Sequence, residues 1–447
     1  MRNEKGREMK KIYVGLVGLG TIGAGVVKII DENRELIEKR LGCSPILKRI
    51  CDLDITTDRG ISLDKGILTT KVDDLLNDPE ISIVIELIGG IEPAKSIILR
   101  AMEKGKHVVT ANKALLAHHG PELIDSAFRN QVDIGFEGSV GGGIPIIRAI
   151  KEGLAANRII SILGILNGTA NYILTKMTDG GGKFQEILKE AQHNGFAEAD
   201  PSLDIEGIDT AHKLAILVSL CYGTKVNFEA IYTEGISRIT PLDIEYTKEL
   251  GYRIKLLAIS KETDGKIEAR VHPTLIPAGH LLSKVDGTFN AIFLTGDAVG
   301  STLFYGRGAG KMPTASAVVG DIMESARSIM KGITHRVPTF SYQTGALQAM
   351  KIKDINDIST RYYLRFSALD QPGVLSKIAG ILGKYGISIS SVIQKGRQVM
   401  GAVPIFMLTH EAKEANVRKA LREIDALPVT ADETMIIRIE EQFSLGE

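Results

Sequence analysis

Apolar residues run without a break from Tyr13 to Val17 and then give way to glycines and an amphipathic stretch, GLGTIGAGVVKIIDENRELI. An unbroken apolar run of this length suits a strand buried on both faces, and the 3.6-residue period that follows suits a helix. The alternation repeats along the first third of the chain. ILKRICDLD and ISIVIELIGG (Ile81 to Gly90) read as strands. PAKSIILRAMEKG reads as a helix with Pro93 at its start and Gly105 at its end, and KHVVTANKALL opens with a short strand, His107 to Thr110. Strands alternating with helices predict a doubly wound parallel sheet, which binds ligands beyond the carboxyl ends of its strands. Lys113, just after Asn112, is delivered to that edge, where it either reaches a ligand or is an ordinary surface lysine.

The pattern changes in the middle of the chain. DIGFEGSVGGGIPIIRAI (Asp133 to Ile150) ends the first domain in a glycine-rich turn, where backbone approaches either a ligand or another chain. Glu137 with nearby carbonyls would suit a cation, or the segment is simply a hinge. Strand-like segments ISILGILNGTANYIL and KIEARVHPTLIP, separated by helices, predict an α+β domain built on an antiparallel sheet. A second glycine cluster, Tyr305 to Lys311, precedes the helical MPTASAVVGDIMESARSIM, and RVPTFSYQTGALQAM reads as a linker. The tail then follows the order βαββαβ: YYLRFSAL, DQPGVLSKIAGILGKYG, ISISSVIQK, AVPIFMLTH, EAKEANVRKALREIDAL and TMIIRIE. That is a ferredoxin-like order. The expected division is 1–150 for the first domain, completed by the helix around 311–332, then 151–335, a linker over 336–361, and 362–440.

The glycine turn after the first strand carries the first chemical signal. In Gly18-Leu19-Gly20-Thr21-Ile22-Gly23, the first glycine allows a tight turn and the second lets backbone approach a pyrophosphate. The third lets helix and strand pack closely, and the free N–H groups at the helix start face the phosphate charge. Placed between a strand and a helix, the motif predicts dinucleotide binding in a Rossmann-type domain. Asp52, at the end of the second strand, suits the ribose hydroxyls of NAD. Lys48 and Arg49 just upstream keep NADP open, and the lean is to NAD. Gly308 and Gly310 of the second cluster offer N–H groups for the same cofactor.

Composition narrows the partners. Lys+Arg and Asp+Glu both number 54, so no global field argues for nucleic acid, and there is no basic patch or recognition helix. The three cysteines, Cys43, Cys51 and Cys221, lack metal-type spacing and read as reduced thiols. The charged start and the lack of an apolar run of about 18 residues give an expectation of a cytoplasmic protein that does not span a membrane.

GFAEADPSLDIEGIDTAHK, from Gly195 to Lys213, gathers Glu198, Asp200, Asp204, Glu206 and Asp209. Pro201 favours an extended loop, so Glu198 and Asp200 should project from a fixed turn. The helix that follows is apolar on nearly all faces from Leu214 to Cys221, which predicts burial on all sides. Asp209 and Lys213 lie one turn apart on it. Exposed, such a pair is a minor surface ion pair; buried, it needs partners or a job. A substrate site and a metal site both remain readings of the carboxylates, though a lysine and a proline suit a metal poorly.

This segment resembles the signature of homoserine dehydrogenases, and TANK at 110–113, ILNGTANYIL at 165–174 and YGRGAG at 305–310 are similar to that family in order and spacing. LDQPGVLSKIAGILGKYGISISSV (Leu369 to Val392) resembles an ACT domain. The resemblance implies reversible reduction of aspartate 4-semialdehyde to homoserine by NAD(P)H, in the pathway to threonine, methionine and isoleucine. It implies that Glu198 holds the substrate ammonium, supported by Asp204 and Asp209, and that Asp200 lines the same turn. Lys213 would be the acid/base residue, and Lys113 would touch both cofactor and substrate. It also implies a sodium ion held by Glu137 and the carbonyls of Val140, Gly142 and Ile144. An amino-acid effector such as threonine would bind near Gly373, Val374, Ile389 and Ser390, and the assembly would be a homodimer or homotetramer. Relatives often carry an arginine at the end of the second strand, where this chain has Cys51-Asp52. The rival reading is a non-catalytic regulator that senses nucleotide and amino acid.

Overall fold

The structure, a computed structural model, describes residues 9–263, 265–394 and 401–441. The chain divides into two compact units. One comprises the residues up to Arg158 with His212–Phe228 and Phe304–Met350; the other comprises Ile159–Ala211, Glu229–Leu303 and Lys351 onward.

The first unit holds a parallel sheet of β1 (Lys10–Val17), β2 (Cys43–Cys51), β3 (Leu68–Thr69), β4 (Ile81–Glu86), β5 (His107–Thr110) and β6 (Ile134–Gly135). The order is β3-β2-β1-β4-β5-β6, all parallel, so the strand order reverses between β1 and β4, where such folds open a crevice. Val14, Leu16, Ile83 and Ile85 are fully buried, as the unbroken apolar runs require. Each contributes about 1.5–3 kcal/mol on leaving water. Helices α1 (Thr21–Glu32), α2 (Ala94–Glu103) and α3 (Lys113–Arg129) connect the strands.

The second unit is built on a largely antiparallel sheet. Its strands are β7 (Ile159–Ile165), β8 (Tyr232–Thr233), β9 (Tyr252–Thr263), β10 (Lys266–Pro277), β11 (Phe289–Gly296), β12 (Gly300–Arg307), β13 (Lys351–Ile352), β14 (Ser359–Leu369), β15 (Ile389–Ile393), β16 (Ala402–Thr409), β17 (Ala412–Lys413) and β18 (Thr430–Ile439). The main path is β12-β11-β7-β9-β10-β18-β14-β16-β15. The ferredoxin-like tail therefore continues the preceding sheet through a short parallel pairing, Thr274 with Arg438 and Leu275 with Ile439. Further helices are α4 (Gly168–Gly180), α5 (Ser202–Ile205), α6 (Ile208–Tyr222), α7 (Pro241–Glu249), α8 (Lys311–Lys331), α9 (Val374–Lys384) and α10 (Glu414–Asp425).

Two expectations change. ILNGTANYIL is not strand throughout: β7 stops at Ile165 and α4 begins at Gly168. Asn167 terminates one and starts the other, its side-chain oxygen accepting the Ala170 N–H as an N-cap. The stretch expected as linker is also packed. Phe340 is buried edge-on against Phe136, the Tyr342 hydroxyl donates to the Cys221 carbonyl, and Lys351–Ile352 pair with β10. Helix α8 lies on the first sheet, with Ala315, Val318 and Ile322 in its core.

Candidate active site

The turn after β1 has the geometry a nucleotide requires. Gly18 adopts φ +100°, and a Cβ there would lie 2.8 Å from the Leu87 carbonyl group. A Cβ on Gly23 would lie 2.1 Å from the Gly18 oxygen, so only glycine lets α1 meet the turn. Gly20 differs, because a Cβ there would meet nothing within 4 Å. The open space lies at the N-terminus of α1, whose first turn has neither a side-chain cap nor an acidic residue. Free N–H groups facing open space fit a pyrophosphate. Thr21 and Ile22 open that helix.

Asp52 sits against this turn, accepting hydrogen bonds from the N–H groups of Leu19 and Asp54. The cations upstream are committed elsewhere. Lys48 pairs with Asp78 at 2.7 Å and with Glu80, and Arg49 donates to the Gly66 carbonyl.

Beyond the carboxyl end of β5, Asn112 caps α3 by accepting from Leu115 N–H and donates to the Gly90 carbonyl. Lys113 is the first residue of that helix and is half-buried.

The two glycine clusters meet each other. A Cβ on Gly142, at φ +48°, would lie 2.7 Å from the Gly308 oxygen, and the Gly143 N–H donates to the Arg307 carbonyl. At Gly142 and Gly143 the close backbone approach is thus to the second cluster of this same chain. Gly310, at φ +115°, opens α8. Glu137 is buried, and its two carboxylate oxygens accept the N–H groups of Ile147 and Arg148, each at 2.9 Å. Its carboxylate therefore caps the helical turn Ile146–Arg148, and among the four residues expected to hold sodium the Ile144 carbonyl accepts the Ile146 N–H. Burial and the neighbouring Asp321 push Glu137 up to about 7, and burial pushes Asp321 up to about 6.

The acidic segment is split between solvent and core. Glu198 and Asp200 are exposed in the turn before α5. The Asp200 carboxylate accepts the N–H and hydroxyl of Ser202, which holds it below the usual carboxylate range. Asp204 is half-buried, whereas Asp209 and Lys213 are 5 % and 6 % exposed. The Asn167 amide donates to Asp204 Oδ1 at 2.7 Å and to Asp209 Oδ2 at 2.9 Å. Asn167 was missed as a site residue, although its position before Gly-Thr at a helix start was a readable cap signal. From Ala211 to Tyr222 every residue of α6 is buried, as its all-round apolar pattern required.

The chain thus carries a half-buried and a buried carboxylate gripped by one amide, a buried lysine one turn further along α6, and an uncapped helix start after a glycine turn. Family models agree along the chain: homoserine dehydrogenase NAD-binding domain over residues 18–137, homoserine dehydrogenase over 145–323, and ACT domain over 362–428. The homoserine dehydrogenase of Neisseria gonorrhoeae is 46% identical over 432 residues, covering 97% of this chain and 99% of that one. The chain belongs to the homoserine dehydrogenase family.

Solved homoserine dehydrogenases agree in fold. That of Thiobacillus denitrificans matches with a TM-score of 0.92 and 48% identity, covering 97% of this chain and 99% of its own. A hyperthermophilic archaeal homoserine dehydrogenase in complex with NADPH matches at 0.61 and 27%, over 73% of this chain and all of its own. The protein is thus an NAD(P)-dependent oxidoreductase interconverting homoserine and aspartate 4-semialdehyde, and the non-catalytic regulator is not favoured. Its ACT domain carries Gly373 at φ +87° before α9, Val374 buried in the domain core, Ile389 half-buried and Ser390 exposed, the last two on the edge strand β15. Among the described residues, no group of three His, Cys, Asp or Glu side chains could hold a metal ion, no helix is long and apolar enough to cross a membrane, and all three cysteines are buried and unbridged.

Proposed function

We propose that Lys213 is the acid/base residue of the reaction and that Glu198, Asp204 and Asp209 hold the substrate ammonium, with Asp200 shaping the turn. The observation that carries this is the joint grip of Asn167 on Asp204 and Asp209, one turn ahead of Lys213. Two carboxylates held in place by one amide make a ready counter-charge for an ammonium group. In the reductive direction the nicotinamide, when bound, supplies the hydride to the aldehyde carbon. Lys213 donates a proton to the oxygen that becomes the homoserine hydroxyl, and takes it back in the oxidative direction. Lys113 adds positive charge beside the developing alkoxide.

The cradle of Gly18, Gly20, Thr21, Ile22 and Gly23 would hold the pyrophosphate, with Gly308 and Gly310 in support. Asp52, set against that turn while Lys48 and Arg49 are paired elsewhere, favours NAD; the archaeal relative solved with NADPH is the counterexample to weigh in assay. A sodium ion at Val140, Gly142 and Ile144 would be held by carbonyls, since the Glu137 carboxylate is committed, and no chemical step is assigned to it. In this reading residues 1–150 with helix 311–332 serve the nucleotide, 151–335 the substrate and dimerisation, and 362–440 regulation by an amino acid such as threonine. A cytoplasmic homodimer or homotetramer is the expected form. Homoserine oxidation assayed with NAD and with NADP, each with and without threonine, tests the cofactor and effector; no NAD(P)H formation would overturn the reading.

A further inference from the structure

Arg438, on the last strand of the ACT domain, is 1 % exposed, and its guanidinium is held by hydrogen bonds to two carboxylates. Nε and Nη2 donate to the two oxygens of Glu414 at 2.9 and 2.6 Å. Glu414, fully buried on α10, also accepts the Tyr362 hydroxyl and Arg418 Nε. Outside the ACT domain, Arg438 Nη1 donates to Glu234 Oε2 at 3.0 Å, and Arg418 Nη2 donates to the Tyr232 hydroxyl at 2.8 Å. That hydroxyl in turn donates to Glu234 at 2.7 Å. Two arginines of the ACT domain thus grip one short segment of the preceding domain.

The gripped segment lies backbone to backbone on the acidic turn. The Ile236 N–H donates to the Ile205 carbonyl at 2.8 Å. Gly235 leaves no room for a side chain, since a Cβ would lie 2.5 Å from the Ile205 oxygen and 2.6 Å from the Glu206 Cα. Gly207, at φ +82°, lies close to the same segment, a Cβ there falling 3.1 Å from a Val271 methyl and 3.3 Å from the Thr233 methyl. Ile205 ends α5, and the residue before it is Asp204, the partner of Asn167. Apolar contacts would absorb a small shift, but directional bonds from the buried Arg438 to the half-buried Glu234 pass it on.

We propose that Arg438 and Glu234 are positioning residues that set Asp204 for the substrate ammonium, giving the ACT domain a direct hold on substrate affinity. This rests on Asp204 being a substrate residue, as proposed above. Glu234→Gln keeps the size of the side chain and one acceptor but loses the charge that Arg438 holds. It should raise KM for homoserine about tenfold with kcat within about twofold, while KM for the nicotinamide cofactor stays unchanged. Asp204→Asn should raise the same KM, and the double variant should be no worse than Asp204→Asn alone, because both act through one group. Tyr232→Phe, which removes the shared hydroxyl, should give the same split in smaller measure and serves if Glu234→Gln does not fold. An unchanged homoserine KM in Glu234→Gln and Tyr232→Phe, beside a raised one in Asp204→Asn, would overturn the proposal, as would effects that simply multiply in the double variant. An unchanged KM in Asp204→Asn would overturn the substrate assignment itself.

Discussion

Asn167 donates its side-chain amide to Asp209 at 2.9 Å while its own oxygen caps α4 through the Ala170 N–H. One side chain therefore starts a helix and, with the further bond to Asp204, fixes the spacing of two carboxylates. Asn167→Ala should cost about 2 kcal/mol, from the lost cap and from partners left unsatisfied. It should also raise KM for homoserine, the carboxylates being free to separate. Denaturant unfolding and steady-state kinetics measure the two effects; a stability loss with unchanged KM would leave only the capping role.

Neighbouring glycines of the nucleotide turn should respond in opposite ways to the same substitution. Gly20 has an ordinary φ of −67° and open space around its missing Cβ. Gly20→Ala should therefore fold with an unchanged Tm and bind the dinucleotide poorly. Gly23→Ala would drive a methyl to 2.1 Å from the Gly18 oxygen, so it should lower Tm first. Thermal melts with and without NAD separate the two.

Cofactor choice should follow the charge at Asp52. Wild-type protein should oxidise homoserine faster with NAD than with NADP at equal concentration. Asp52→Asn keeps an acceptor for Leu19 N–H and removes the repulsion toward a 2′-phosphate, so it should shift the kcat/KM ratio toward NADP by about tenfold. A wild-type preference for NADP would contradict this.

Acid should destabilise the second unit through His272. Burial first, then the charges of Arg438 and Arg270, hold its imidazole neutral well below the usual 6.5. Arg270 donates to Nε2 at 2.7 Å, which assigns the ring proton to Nδ1, facing the Pro273 carbonyl. The folded value is depressed, so the unfolded chain binds the extra proton. Stability is complete above the unfolded value and falls as pH drops below it, by up to about 1.4 kcal/mol per pH unit. Melts at successive pH values below 6.5 should show this slope, and His272→Gln should flatten it.

Much of this was readable in the sequence because the periods were clean. The parallel strands are unbroken apolar runs, and α6 is apolar on every face, so the burial of Asp209 and Lys213 followed from their place on it. What escaped was set by contacts distant in sequence. Asn167 looked like part of an apolar strand, since nothing local reveals Asp204 and Asp209 as its partners. The stretch around Phe340 and Tyr342 looked like linker because the surfaces it covers, including Gly120 and Gly223, lie far away in the chain. The first glycine cluster left a ligand and another chain both open, and only the fold shows that Gly142 requires glycine because the Gly308 backbone lies against it. Arg438 sits in TMIIRIE, beside Ile436, Ile437 and Ile439, and only tertiary structure supplies Glu414 and Glu234.

The most direct measurement is homoserine oxidation by Lys213→Met beside the wild-type chain, with NAD binding followed by titration. Lys213 as acid/base residue predicts a fall in kcat of about a thousandfold with the NAD dissociation constant nearly unchanged. Turnover close to wild type in a folded Lys213→Met variant would contradict it.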